Sequence, residues 1–340
     1  MVLDGQSSQS IARAAQALQR GDLIGLPTET VYGLAADACN ANAVAKIFAI
    51  KGRPSDHPLI VHVTDIDSAK RFASDIPDFA KRLIDAFWPG PLTLILPRKA
   101  DVATAAASGQ SSVGIRCPSH AVAREILQAA QALGVWGVAA PSANKFGRVS
   151  PTTAAHVQAE FGEALLIVDG GACDVGIESA IVDCTRGQPV LLRPGVLTQE
   201  QLSAACGEKV LMQGEQISTR TNAPKASGTL AAHYAPAAKL FLMDKQMIDQ
   251  KLLQHQGAFS LAIWSRAPLQ AESQALFDKN QSLHWQPMPS DPVQCAHALF
   301  AQLRAFDDLG VKQIWVEAPP SDSAWEGVHD RLRRAETAGR

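Results

Sequence analysis

Between Val44 and Val63 the hydrophobic period changes from helical to strand-like across a Gly-Arg-Pro break, and that change constrains the local fold more tightly than any other stretch. Val44, Ile47 and Phe48 fall on one helical face at three- and four-residue spacing. Gly52 stands where a helix closes on a left-handed residue, a conformation that costs glycine little. Arg53 precedes Pro54 and is pushed to an extended conformation by the proline ring. Leu59 to Val63 then reads as a strand entered after a second proline, Pro58. The junction crowds two cations, Lys51 and Arg53, into three residues, where they repel unless water or an anion separates them. Two readings stay open on this stretch alone. Either Lys51 complements the negative end of its helix and Arg53 is solvated, or the pair is a phosphate site.

The same alternation of helix and strand recurs along the chain and indicates an α/β protein. Ser10 is placed to cap a first helix with Ile11, Ala14, Ala15 and Leu18 on one face, stopped at Gly21. A strand over Asp22 to Leu26 runs into P-T-E-T-V-Y-G-L, so Thr28, Glu29 and Thr30 follow a strand end, where open α/β sheets place ligand contacts. An ordinary turn, with Thr30 as a helix cap, is the plainer reading. A helix over Asp78 to Phe87 is stopped by W-P-G-P, and Leu92 to Leu96 is a buried strand, with Trp88 assigned to the core. Val113 and Ile115 alternate as a strand that Arg116 closes, ahead of a helix over Ala121 to Leu133. At the ligand end of a sheet such an arginine is a good fork for carboxylate or phosphate, although a lone arginine there is more often a surface residue. A strand over Val135 to Ala140 empties into a loop carrying Ser142, Asn144 and Ser150, and Arg193 stands at another strand end in R-P-G. Such hydroxyl and amide side chains either hydrogen-bond a nucleotide or cap helices.

Composition shifts beyond about Gln201, and T-N-A-P-K-A-S-G-T-L-A-A-H-Y-A-P reads as a linker, although His233 and Tyr234 are bulky for one. The alternation then restarts, with strands over Leu240 to Met243, Phe259 to Ile263 and Gln313 to Val316. Helices are expected near Gln246 to His255, over Pro292 to Leu309, and over Trp325 to Ala335. The expected organisation is a first domain over residues 1–205, a linker over 206–237 and a smaller domain over 238–340.

A net charge of −2 excludes a bulk polyanion binder, so any basic site is local. Six cysteines without a C-x-x-C pair argue against structural zinc and a disulfide framework, and reduced cytoplasmic thiols are the simpler reading. The N-terminal residues lack a secretory pattern, and no apolar run reaches the roughly 18 residues a membrane helix needs, so no membrane association is expected. No two glycines stand two apart, and no phosphate loop, H-E-x-x-H or G-x-S-x-G occurs. Any nucleotide site must therefore gather side chains from several strand ends: Lys51, Arg53, Arg116, Ser142, Asn144, Ser150 and Arg193.

These segments together resemble the YrdC-like family: P-T-E-T-V-Y-G-L, the K-x-R of Lys51 and Arg53, H-P-L-I-V-H, W-P-G-P-L-T, V-x-I-R-C-P, P-S-A-N, G-R-V-S-P-T, D-G-G and R-P-G. H-Y-A-P at His233 to Pro236 and the trailing α/β domain resemble its long two-domain form, the threonylcarbamoyl-AMP synthases. The motifs cover nearly all of residues 8–236, while the last hundred match mainly in layout and in the basic final helix. The resemblance implies a twisted mixed sheet with helices, followed by a smaller Rossmann-like α/β domain. It also implies that L-threonine, bicarbonate and ATP, with Mg²⁺ on the triphosphate, give threonylcarbamoyl-adenylate and pyrophosphate. Downstream tRNA threonylcarbamoyl-transferase proteins would then act on an adenosine beside the anticodon, with direct tRNA contact by this chain left open.

By the same resemblance Lys51 and Arg53 are catalytic, and no metal ligand is assigned among the side chains. Arg53, Ser142, Asn144, Ser150, Arg193 and Tyr234 hold ATP, while Thr30, His62, Arg116 and Ser179 hold threonine. Three places depart from the family pattern: His57 stands for an expected Asn, Ala180 for Thr, and Lys145-Phe146 for small polar residues. The competing class is a non-catalytic RNA-binding protein using the same basic concavity, with steep salt dependence. The net charge and the lack of aromatic-basic interleaving count against it. A hydrogenase-maturation carbamoyl-transfer module would carry zinc-finger parts that this chain lacks.

Overall fold

The structure, a computed structural model, describes residues 1–215, 223–255, 259–269 and 282–339. Residues 216–222 of the expected linker lie outside them. The chain forms two compact units, Met1–Phe146 with Ser150–Thr229, and Gly147–Val149 with Leu230–Arg340.

The strands of the first unit are β1 (Val2–Asp4), β2 (Ile24–Leu26), β3 (Gly33–Asp37), β4 (Ile60–His62), β5 (Leu92–Pro97), β6 (Ser112–Arg116), β7 (Val138–Ala139), β8 (Leu166–Asp169), β9 (Ala180–Asp183), β10 (Val190–Arg193) and β11 (Leu211–Met212). They form one mixed sheet in the order β1-β8-β2-β3-β7-β4-β6-β5-β9-β10-β11. The helices are α1 (Ser8–Gln19), α2 (Ala41–Lys51), α3 (Ile66–Ala69), α4 (Asp78–Phe87), α5 (Ala121–Ala132), α6 (Ala154–Phe161) and α7 (Gln199–Cys206). The apolar face of α1 closes a core with Val122, Ile126 and Leu127 of α5. Val44 and Ile47 of α2 join a larger core with Leu94, Ile115 and Val182.

The register of the central strands positions a site. β4 runs parallel to β6 with His62 opposite Arg116. β5 runs antiparallel to β6 with Thr93 opposite Arg116. Residues directly opposite in a sheet point to the same face, so His62, Arg116 and Thr93 form one row across three strands. β5 pairs in parallel with β9, Leu92 opposite Ala180, which brings Ser179 beside that row.

The second unit contains β12 (Lys239–Met243), α8 (Lys245–Gln254), β13 (Leu261–Ser265), β14 (Leu283–Pro287), α9 (Pro292–Asp308), β15 (Gln313–Glu317) and α10 (Glu326–Ala338). Its strands are ordered β12-β15-β13-β14 and all run parallel. Met243, Ile248, Leu252, Ile263 and Trp315 form its core. Parallel strands connected through helices give the Rossmann-like α/β layout expected here.

Some local expectations change. Ser10 lies inside α1 and is buried, and Ser7 is the N-cap residue. The strand expected over Val135 to Ala140 shortens to β7, because the Val135 amide closes the end of α5 on the Ala130 carbonyl. Gly137 there lies against Phe72, with a Cβ on the glycine falling 2.7 Å from the ring. Thr30 caps no helix, since β3 follows its loop. The strands β1, β11 and β14 escape sequence reading because short apolar runs carry little periodicity of their own.

Candidate active site

The junction between α2 and β4 is built as its pattern predicts. Gly52 takes φ +63° and ends α2, with its amide on the Ala49 carbonyl and the Arg53 amide on that of Phe48. Neither cation is decoration, for Lys51 is 3% exposed and Arg53 8%. Lys51 Nζ donates to the carbonyl of Ser142 at 2.6 Å and also to that of Asn144. Arg53 turns away, donating to the carbonyls of His57 at 3.3 Å and Pro58 at 3.1 Å and to Ser227 Oγ at 3.4 Å. The two charges are thus taken up by different backbone carbonyls. Burial, and then the Arg53 charge, still hold the Lys51 ammonium well below its ordinary range. An anion brought to this place would reverse that shift.

The other expected residues connect to this junction. Arg116 donates to Thr30 Oγ1 at 2.7 Å and to the Gly90 carbonyl at 3.3 Å. His62, beside it in register, keeps Nδ1 3.3 Å from the Ile60 carbonyl. Burial, reinforced by the Arg116 charge, pushes the imidazole down to about 3, so it is neutral at physiological pH. Thr93 Oγ1 and Ser179 Oγ are 2.8 Å apart. Arg193 grips the Ser179 carbonyl with Nε at 3.0 Å and Nη2 at 2.8 Å, and donates to the Ser227 carbonyl at 3.0 Å. Ser227 therefore links Arg193 to Arg53. Ser150 Oγ donates to Glu178, the neighbour of Ser179. The first unit brings together ten of the expected site residues: Thr30, Lys51, Arg53, His62, Arg116, Ser142, Asn144, Ser150, Ser179 and Arg193. Tyr234 belongs to the second unit, fully buried with φ +62°, its ring 5.3 Å from that of Phe300 and 5.6 Å below the Arg331 guanidinium.

Glu29 was legible in sequence only as a member of a loop open to ligand contacts, and Thr93, Glu178 and Ser227 were not singled out. Glu29 lies 2.7 Å from Arg116 Nη2, both side chains almost wholly buried. Burial alone would raise its carboxyl, but the close Arg116 charge, with the nearby backbone amides of Glu29 and Ser119, holds it below the usual range. The signal available was a glutamate flanked by threonines at a strand end, a pattern that turns share. Two departures from the family pattern are coupled: the His57 and Phe146 rings pack edge-on at 5.7 Å, and Arg53 stands 5.7 Å over Phe146. Lys145 caps α2 through the Ile50 carbonyl at 2.7 Å. Ala180 is buried at the start of β9, its amide on the Pro91 carbonyl.

Among the described residues no group of three or more His, Cys, Asp or Glu is arranged to hold a metal ion. No described helix is long and apolar enough to cross a membrane. The site is thus a buried set of cations locked by carbonyls and hydroxyls, suited to anionic ligands.

Residues 16–195 match the family model Sua5–YciO–YrdC, described as telomere recombination. The chain belongs to the Sua5–YciO–YrdC family. Residues 197–337 match a second family model, the C-terminal domain of threonylcarbamoyl-AMP synthase. Over 95% of its length the chain is 35% identical to the threonylcarbamoyl-AMP synthase of Pyrococcus abyssi, 92% of which is covered. It is 37% identical to the Bacillus subtilis protein of the same name, over 96% of this chain and 92% of that protein. The solved structure of P. abyssi Sua5 complexed with L-threonine superposes with a TM-score of 0.87 at 31% identity, covering 100% of this chain and 98% of that one. The likeness to the threonylcarbamoyl-AMP synthases extends across both units of the chain.

Proposed function

We propose that this chain is a threonylcarbamoyl-AMP synthase, a nucleotidyltransferase that converts L-threonine, bicarbonate and ATP into threonylcarbamoyl-adenylate and pyrophosphate. The buried set of Lys51, Arg53, Arg116 and Arg193 within one unit carries the reading, and the full-length likeness to synthases of two organisms supports it. Condensation of the threonine amine with bicarbonate gives a carbamate and water. A carbamate oxygen then attacks the α-phosphorus, and the bond to pyrophosphate breaks.

Both partners in the second step are anions, so the step requires positive charge at the meeting point. Lys51 spends two of its three donors on the Ser142 and Asn144 carbonyls, which fixes the ammonium while leaving one N–H for a phosphate oxygen. Arg53 shares the phosphate charge and Arg193 steadies the nucleotide. Ser142, Asn144 and Ser150 are proposed to bind ATP, as is Tyr234. On the amino-acid side, Arg116 is proposed to pair with the threonine carboxylate, with Thr30, neutral His62 and Ser179 completing the contacts. Positioning supplies much of the rate in such a reaction, and no side chain is assigned as a general base.

Mg²⁺ is proposed to enter with ATP as part of the substrate, neutralising charge on the triphosphate. Downstream threonylcarbamoyl-transferase proteins acting on tRNA, and a cytoplasmic location, belong to the same proposal. The reading is tested by pyrophosphate release from purified protein with ATP. Release should require both threonine and bicarbonate, and an equal rate without threonine overturns the proposal.

A further inference from the structure

Glu29 is a buried carboxylate to which the proposed mechanism gives no task. It is 3% exposed, in the loop between β2 and β3, and faces Arg116 at 2.7 Å. Backbone amides of Glu29 and Ser119 lie near it, but neither oxygen receives a well-directed hydrogen bond among the described residues. Arg116 Nη2 is likewise not aligned for one. A charge pair in close contact but poorly aligned keeps acceptor capacity on the acid and donor capacity on the base. Desolvating two such charges is expensive unless further hydrogen bonds complete them, so an apolar pair would serve structure equally well. The pair sits beside Thr30 and His62, two of the residues proposed to hold threonine.

An α-amino acid presents an ammonium and a carboxylate on one carbon, and a guanidinium beside a carboxylate is the complementary pair. We propose that Glu29 is the ammonium-binding residue of this site, accepting a hydrogen bond from the threonine α-amino group while Arg116 takes the carboxylate. The inference rests on the threonine reading above. Because Arg116 keeps Glu29 ionised, it binds and orients the amine and is a poor proton acceptor. It would also disfavour acids with no donor on the α-carbon, such as 3-hydroxybutyrate, which leave its buried charge without a partner from the ligand.

Calorimetric binding of L-threonine and of (R)-3-hydroxybutyrate, which keeps the carboxylate and hydroxyl but lacks the amine, tests this on the full chain. Glu29→Gln should weaken threonine about 10- to 100-fold, the range for a hydrogen bond to a charged group. It should leave 3-hydroxybutyrate unchanged or tighter, since Arg116 then lacks a competing anion. Glu29→Asp, which keeps the charge, should retain more threonine binding than Glu29→Gln. Equal weakening of both ligands makes Glu29 a mere support for Arg116, and unchanged or tighter threonine binding makes it a bystander or competitor. Each of these results overturns the inference while leaving threonine binding by the wild-type chain intact. Failure of the wild-type chain to bind threonine overturns the underlying reading and the inference together.

Discussion

Burial of His62 makes a quantitative prediction about pH. The ring is 3% exposed and sits beside Arg116, and its pKa falls from 6.5 to about 3 in the folded protein. The unfolded chain therefore binds a proton in the interval between those values that the folded chain refuses. Stability contributed this way is complete above pH 6.5 and drains away as pH falls toward 3. At roughly 1.4 kcal/mol per unit the full span is about 5 kcal/mol, and the part lost between about pH 7 and pH 5 is about 2 kcal/mol. His57 and His255 are also lowered by burial and add to the slope of the wild-type protein. The informative quantity is thus a difference of differences. Urea unfolding of the wild-type chain and of His62→Gln at the two pH values should show the variant losing about 2 kcal/mol less on acidification. Loss of stability in the variant within about 0.5 kcal/mol of the wild-type loss refutes a buried neutral His62, whatever the absolute stability of the variant.

Two further substitutions probe the site. Lys51→Ala removes the charge proposed to face the α-phosphate, so threonine-dependent pyrophosphate release should fall by about 10²–10³-fold. Threonine affinity measured by calorimetry should change far less, and equal loss of both would make Lys51 structural only. Gly195→Ala would place a Cβ 2.5 Å from the Ala180 amide nitrogen, just behind the Ser179 carbonyl that Arg193 grips. It should cost about 1–3 kcal/mol in urea unfolding, and a cost near zero would mean that this backbone approach is looser than described.

What could be read from the chain alone was local. The helix ending at Lys51, the left-handed Gly52 and the strand closed by Arg116 follow from spacing, glycine freedom and the proline ring, which act over a few residues. The alternation of helices and strands gave the α/β class for the same reason. Strand pairing was not legible, because hydrogen-bond partners lie far apart in sequence and very short strands such as β7 and β11 are defined only by their neighbours. Charge followed the same division. Sequence placed Lys51 and Arg53 at one junction, but whether they were solvated depended on distant carbonyls, those of Ser142 and Asn144 for Lys51. Glu29 stood in a loop open to either a ligand-contact or a turn reading, until the fold brought that loop against Arg116. Backbone preference is a property of a few neighbouring residues and was determined by the sequence itself. Desolvation and charge pairing belong to what surrounds a side chain in space, and only the tertiary structure decided those.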